Sequence, residues 1–178
     1  LQRSLAAGSV GAHGGTPAFA ALAAARLVAA GGPPVVCVVA AAEAAQRLAD
    51  DARFFLDDAG ASGAGAVDPT DDPVLELPAI DASPYAEVSP DRALLVARMT
   101  ALYRLAHTAP RLVVASAAAL LRRAIAPEEL APLCAVLGPG QTVDRDRLIA
   151  LLLGAGFLRA PVVEDAGSFA VRGGVIDV

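Results

Sequence analysis

Pro34-Val35-Val36-Cys37-Val38-Val39-Ala40 carries no polar side chain and four valines. A short β-branched run of this kind reads as a strand buried on both faces, the pattern of a parallel sheet and not of a half-solvated one. Arg111-Leu112-Val113-Val114-Ala115-Ser116 repeats it, and residues 74–77 give a shorter strand. Between these runs the spacing turns helical. Residues 17–30 open with Pro17, suited to a first turn, and residues 43–58 place Leu48, Ala52, Phe55 and Leu56 on one side. Ser89-Pro90-Asp91 supplies a cap, a first-turn proline and an acid near the positive end of the dipole. The helix it opens runs to about residue 106, with Leu95, Met99 and Leu102 inward, and residues 117–123 form a short helix. Strands alternating with helices in this order predict an α/β fold with a parallel sheet layer and helices.

Beyond residue 126 the pattern changes. Residues 127–139 read as a connection with a strand at 134–137, and residues 144–154 as an amphipathic helix (Leu148, Leu151, Leu152) ending at glycine. Residues 157–163 and 168–178 read as two strands joined by a turn at Asp165-Ala166-Gly167. The expected organisation is therefore an α/β domain over 1–126, followed by a small α+β module from 127 to 178 that continues past the end of this sequence. Residues 59–73, rich in Gly, Ala, Asp and Pro, are expected to form a loop.

The 178 residues carry 14 basic and 19 acidic side chains, and all 14 basic ones are arginine. Schiff-base and lysine-nucleophile chemistry are thereby excluded, because both need an amine. A net charge of −5 argues against a general nucleic-acid-binding surface. Mean hydropathy is positive at +0.55, but the excess comes from alanine. The uncharged stretches 4–26 and 27–42 are broken by Gly8, Gly11, Gly14, Gly15 and Pro17 and by Gly31-Gly32-Pro33-Pro34, so neither provides a membrane span. A cytoplasmic protein is expected, with Cys37 and Cys134 as buried free thiols.

Gly11-Ala12-His13-Gly14-Gly15-Thr16-Pro17 occupies the place of a phosphate loop, ahead of a helix and a buried strand. The position that should hold Lys is Thr16 or Pro17, and no hydroxyl follows it for magnesium. Gly11, Gly14, Gly15, Thr16 and Pro17 therefore read as a degenerate phosphate loop. The alternative is an α/β enzyme that binds a nucleotide or another phosphorylated ligand over residues 8–16. The carboxylate pairs Asp50/Asp51 and Asp57/Asp58 read as solvated faces, Arg122-Arg123 as a solvated helix end, and His107 as a cation at a helix end. No spacing suggests a metal site or a catalytic nucleophile.

Gly167-Ser168-Phe169-Ala170-Val171-Arg172-Gly173-Gly174-Val175-Ile176-Asp177-Val178 alternates as a hairpin does, yet sets an arginine directly before two glycines. Spacing alone leaves two readings of Arg172 open: a solvent-facing strand residue, or a guanidinium kept clear for a partner.

This string resembles the signature shared by the excision-repair helicase UvrB and the N-terminal module of the bacterial transcription-repair coupling factors (Mfd). The resemblance continues upstream, in order, through Leu77-Pro78, Ser83-Pro84-Tyr85, Ser89-Pro90, Arg98 with Leu102, Val113-Val114-Ala115-Ser116 and residues 151–157. UvrB-like proteins keep an intact phosphate loop and insert an aromatic-rich hairpin that probes damaged DNA. This chain has neither: Tyr85 is the one aromatic between Leu77 and Arg98. The resemblance therefore implies the coupling-factor module, with a degenerate helicase-like sheet layer that is no ATPase. It implies UvrA as partner, with Arg172, Phe169 and Gly173 as contact residues, and no cofactor in this part. ATP, magnesium, RNA polymerase and double-stranded DNA are implied for downstream domains of the full-length protein.

Overall fold

A computed structural model describes residues 14–58, 72–80 and 91–178. The elements in chain order are α1 (Pro17–Ala29), β1 (Val35–Val39), α2 (Ala42–Asp58), β2 (Val74–Leu77), α3 (Arg92–His107), β3 (Leu112–Ser116) and α4 (Ala117–Leu121). They continue with α5 (Pro127–Leu130), a 3-10 turn (Ala131–Leu133), α6 (Arg145–Gly154), β4 (Leu158–Arg159), β5 (Ser168–Arg172) and β6 (Val175–Asp177). This is the expected α/β class. Contacts divide the chain into two units, Leu1–Ala79 with His107–Arg122, and Ile80–Ala106 with Arg123–Val178. This division interleaves along the chain, whereas the expected 1–126 and 127–178 follow chain order. It gathers most of α3 with the C-terminal elements.

The first unit is built on a three-stranded parallel sheet of order β1-β3-β2. The central strand β3 is buried along its whole length. On one sheet face, Val74, Leu112 and Val114 meet Ala21, Ala24, Ala25 and Val28 of α1 and Ala45, Leu48, Ala49, Ala52 and Leu56 of α2. Alanines at most of these helical positions let the helix backbones come close to each other and to the sheet. The stretch that predicts the sheet is only half as buried as expected. Val35, Cys37 and Val39 pack on the core, but Val36 and Val38 are more than half exposed. No described element covers the second face of β1, which carries Val36 and Val38.

Polar contacts fix the ends of these elements. Arg111 Nη2 donates to the carbonyls of Val28 and Gly32 at 3.4 and 3.0 Å, placing a cation at the negative end of the α1 dipole. Arg53 of α2 donates through Nε to Asp72 Oδ2 at 2.9 Å and through Nη2 to the Val74 carbonyl at 3.4 Å. The other Asp72 oxygen accepts the Val74 N–H at 2.9 Å. Burial raises the carboxyl pKa of nearby Glu76, Arg53 pulls it down, and Asp50 adds to the rise.

In the second unit β5 is central, pairing parallel with β4 and antiparallel with β6. Three expectations are corrected here. Residues 134–137 belong to no strand among the described residues; they follow the 3-10 turn, to which the Cys134 N–H donates at the Ala131 carbonyl, 3.3 Å. The run 157–163 forms a strand only at Leu158–Arg159, because Pro161 has no N–H to continue the ladder. The hairpin turn is Gly173-Gly174, not Asp165-Ala166-Gly167, which instead leads into β5 after a parallel step. On α3 the deeply buried residues are Arg98 and Ala101, with Leu95, Met99 and Leu102 half-buried beside them. Its described cap is Asp91, whose Oδ1 accepts the Ala93 N–H at 2.8 Å; Ser89 and Pro90 lie outside the described residues. α6 begins as read, with Asp144 Oδ1 accepting the Arg147 N–H at 3.0 Å. It ends in paired bonds, Gly156 N–H to Leu153 and Phe157 N–H to Leu152, which satisfy its last carbonyls.

Gly167 joins the turn before β5 to the start of α3. Its φ is +79°, and a Cβ there would run into the Cδ and Cγ of the Arg92 side chain, which would have to shift. Its carbonyl accepts from Arg92 Nη1 at 3.4 Å. The turn before β5 thus seats the first residue of α3. Gly167→Ala is expected to destabilise the second unit by about 1–2 kcal/mol from the left-handed backbone alone, with displacement of Arg92 added. A lowered urea midpoint, followed by circular dichroism, checks this.

Candidate protein-interaction site

The hairpin β5–β6 is positioned by alternation. Phe169 has no solvent exposure and is the largest fully buried side chain of the described residues. Burying it turns Val171 to the same face, where Val171 opposes Ile176, and sends Ala170 and Arg172 to the other. On that second face Arg172 opposes Val175 and Ala170 opposes Asp177. The Arg172 side chain is 63% exposed. Gly173, at φ +57°, supplies the first central residue of a two-residue turn with the twist a hairpin needs. Nothing lies within 4 Å of a Cβ built on Gly173 or Gly174, so the approach to the guanidinium along the turn is open.

Arg172 Nη2 donates to Asp177 Oδ2, a diagonal ion pair on one hairpin face. Sequence reading found the arginine but not this partner. The signal was present, because antiparallel pairing across Gly173-Gly174 puts residues 172 and 177 on one face. Of the three expected contact residues, the structure brings Arg172 and Gly173 together at the exposed turn. It places Phe169 beneath them, within the unit's core and away from a partner's reach.

Only part of the glycine-rich loop lies within the described residues: Gly14, Gly15, Thr16 and Pro17, but not Gly11 or His13. Thr16 is the N-cap of α1, and its Oγ1 accepts the Phe19 N–H at 3.3 Å. Ala20 N–H donates to the Thr16 carbonyl at 3.3 Å, and Pro17 has no N–H. The first turn of α1 therefore leaves at most the Ala18 N–H for an anion. The Phe19 ring sits over Gly15, where a Cβ would meet its Cδ1 at 2.9 Å.

Among the described residues no three His, Cys, Asp or Glu side chains gather as a metal site, and no helix is long and apolar enough to cross a membrane. Cys37 and Cys134 are free, half-buried and have thiol pKa values raised by burial, which leaves them poor nucleophiles.

The class of the second module follows from a family match: residues 136–178, which contain α6 and the whole β4-β5-β6 sheet, match the UvrB interaction domain. The particular relative is the transcription-repair-coupling factor of Myxococcus xanthus, 41% identical over 138 residues, which are 76% of this chain and 11% of that protein. Together these matches bear out the resemblance to the UvrB-like N-terminal module of the transcription-repair coupling factors. The aligned span is about a tenth of that relative's length.

If Phe169 supports the hairpin from below, Phe169→Ala should cost about 3–5 kcal/mol of stability. Differential scanning calorimetry would register it as a large fall in Tm, unlike truncation of a surface contact.

Proposed function

We propose that this chain is a non-catalytic adaptor of transcription-coupled excision repair, recruiting UvrA by presenting Arg172 as UvrB presents its own arginine. The observation that carries the reading is the exposed guanidinium at the Gly173-Gly174 turn, within the segment that matches the UvrB interaction domain. Arginine suits this task. Its planar fork meets a carboxylate or carbonyl with charge-assisted, directional hydrogen bonds, and two glycines beside it impose no side chain on the partner. Phe169 acts indirectly, by fixing which face Arg172 takes.

In this reading the first unit is a nucleotide-type layer that no longer serves a nucleotide. The absence of lysine supports it, as does the first turn of α1, where Pro17 has no N–H and the Thr16 hydroxyl already takes the Phe19 N–H. Full-length coupling factors would then supply ATP, magnesium, RNA polymerase and duplex-DNA contacts through other domains.

Arg172→Glu in the full chain is expected to abolish capture of purified UvrA while circular dichroism stays unchanged; undiminished capture overturns the proposal. Titration calorimetry with ATP and magnesium should give no saturable heat at micromolar protein. Saturable binding would instead favour an α/β enzyme working from residues 8–16.

A further inference from the structure

We infer that Asp177 is a positioning residue for Arg172, holding the guanidinium in its partner-ready direction; this rests on the UvrA-binding reading above. Three observations carry it. Asp177 and Arg172 share one face of the hairpin, on opposite strands and diagonal to each other across the two-residue turn. Their ion pair engages a single guanidinium nitrogen, Nη2, with one carboxylate oxygen, Oδ2. The arginine, in the pair next to the turn, remains 63% exposed, while the aspartate, one pair further from it, is 36% exposed.

An unrestrained arginine samples many rotamers, and a partner must freeze them, at a cost of roughly 0.5–1.5 kcal/mol per long side chain. Asp177 meets part of that cost before the encounter. It engages one Nη2 hydrogen and leaves Nε–H, Nη1 and the second Nη2 hydrogen for charge-assisted contacts to a carboxylate or carbonyl. Surface pairs of this kind add little to stability, about 0–1 kcal/mol. The aspartate's role therefore lies in direction more than in folding. Val175, opposite Arg172 and more than half exposed, gives the arginine stem an apolar neighbour on the same face.

Equilibrium binding of the full chain to purified UvrA, with Asp177→Ala, Asp177→Glu, Arg172→Ala and the double variant, tests the inference. Asp177→Ala should weaken binding by about three- to tenfold. Asp177→Glu, which keeps the anion, should stay within about twofold of the parent. On the Arg172→Ala background, Asp177→Ala should cause no further loss, because a positioning residue acts only through what it positions. Independently of UvrA, 15N relaxation at Arg172 Nε should report an ordered side chain in the parent and a mobile one in Asp177→Ala. Unchanged or tighter binding by Asp177→Ala, a loss that persists without Arg172, or equal Nε mobility in both proteins overturns the inference. If the parent does not bind UvrA, or Arg172→Ala binds as the parent does, the UvrA reading itself has failed. The relaxation measurement still decides whether Asp177 orders Arg172.

Discussion

Complete burial of Phe169 is the constraint on which the candidate site depends. In a strand, successive side chains alternate faces, so seating one large aromatic in the core settles the direction of every neighbour. A slip of one residue would press Phe169 into the fully buried space that fits Ala170 on the other face, overpacking it at a cost of about 1–3 kcal/mol. Arg172 shares its face with the fully buried Ala170, so its exposure comes from its place at the end of β5, beside the Gly173-Gly174 turn.

The same unit shows how local backbone and long-range contact reinforce one another. Gly173 at positive φ closes the β5–β6 turn, and Gly167 at positive φ makes room for the Arg92 stem. The first places the guanidinium at an open edge, and the second joins the entry of β5 to the start of α3. In the first unit, by contrast, the chain satisfies the start of α1 with its own atoms. Thr16 caps the helix through its hydroxyl, and the Phe19 ring lies against Gly15. One unit keeps its polar group outward; the other spends its helix N-terminus on its own side chains.

Much of the architecture was legible before any coordinates. The apolar runs at 111–116 and 74–77, the helical spacing of 43–58 and the apolar stripe and glycine end of α6 each follow from local chemistry, and each element formed. The errors lie where a neighbour decides. Val36 and Val38 read as buried because Val35–Val39 is apolar on both faces, but only the face carrying Val35, Cys37 and Val39 packs on the core. Residues 134–137 are apolar enough for a strand and have none to pair with. Arg98 sits deeply buried on α3, which no periodicity argument assigns to an arginine.

By itself the sequence determined the α/β class, the lack of any lysine for phosphate chemistry, and the unusual arginine ahead of two glycines. These are properties of residue type and spacing, which need no partner to be read. Only the tertiary structure decided that β4 and β5 run parallel, that the turn falls at Gly173-Gly174, that Phe169 lies under the hairpin, and that Asp177 holds Arg172. Each depends on register, and register is set by which side chain the core accepts and which carbonyl finds a donor, relations between residues that a linear reading leaves open.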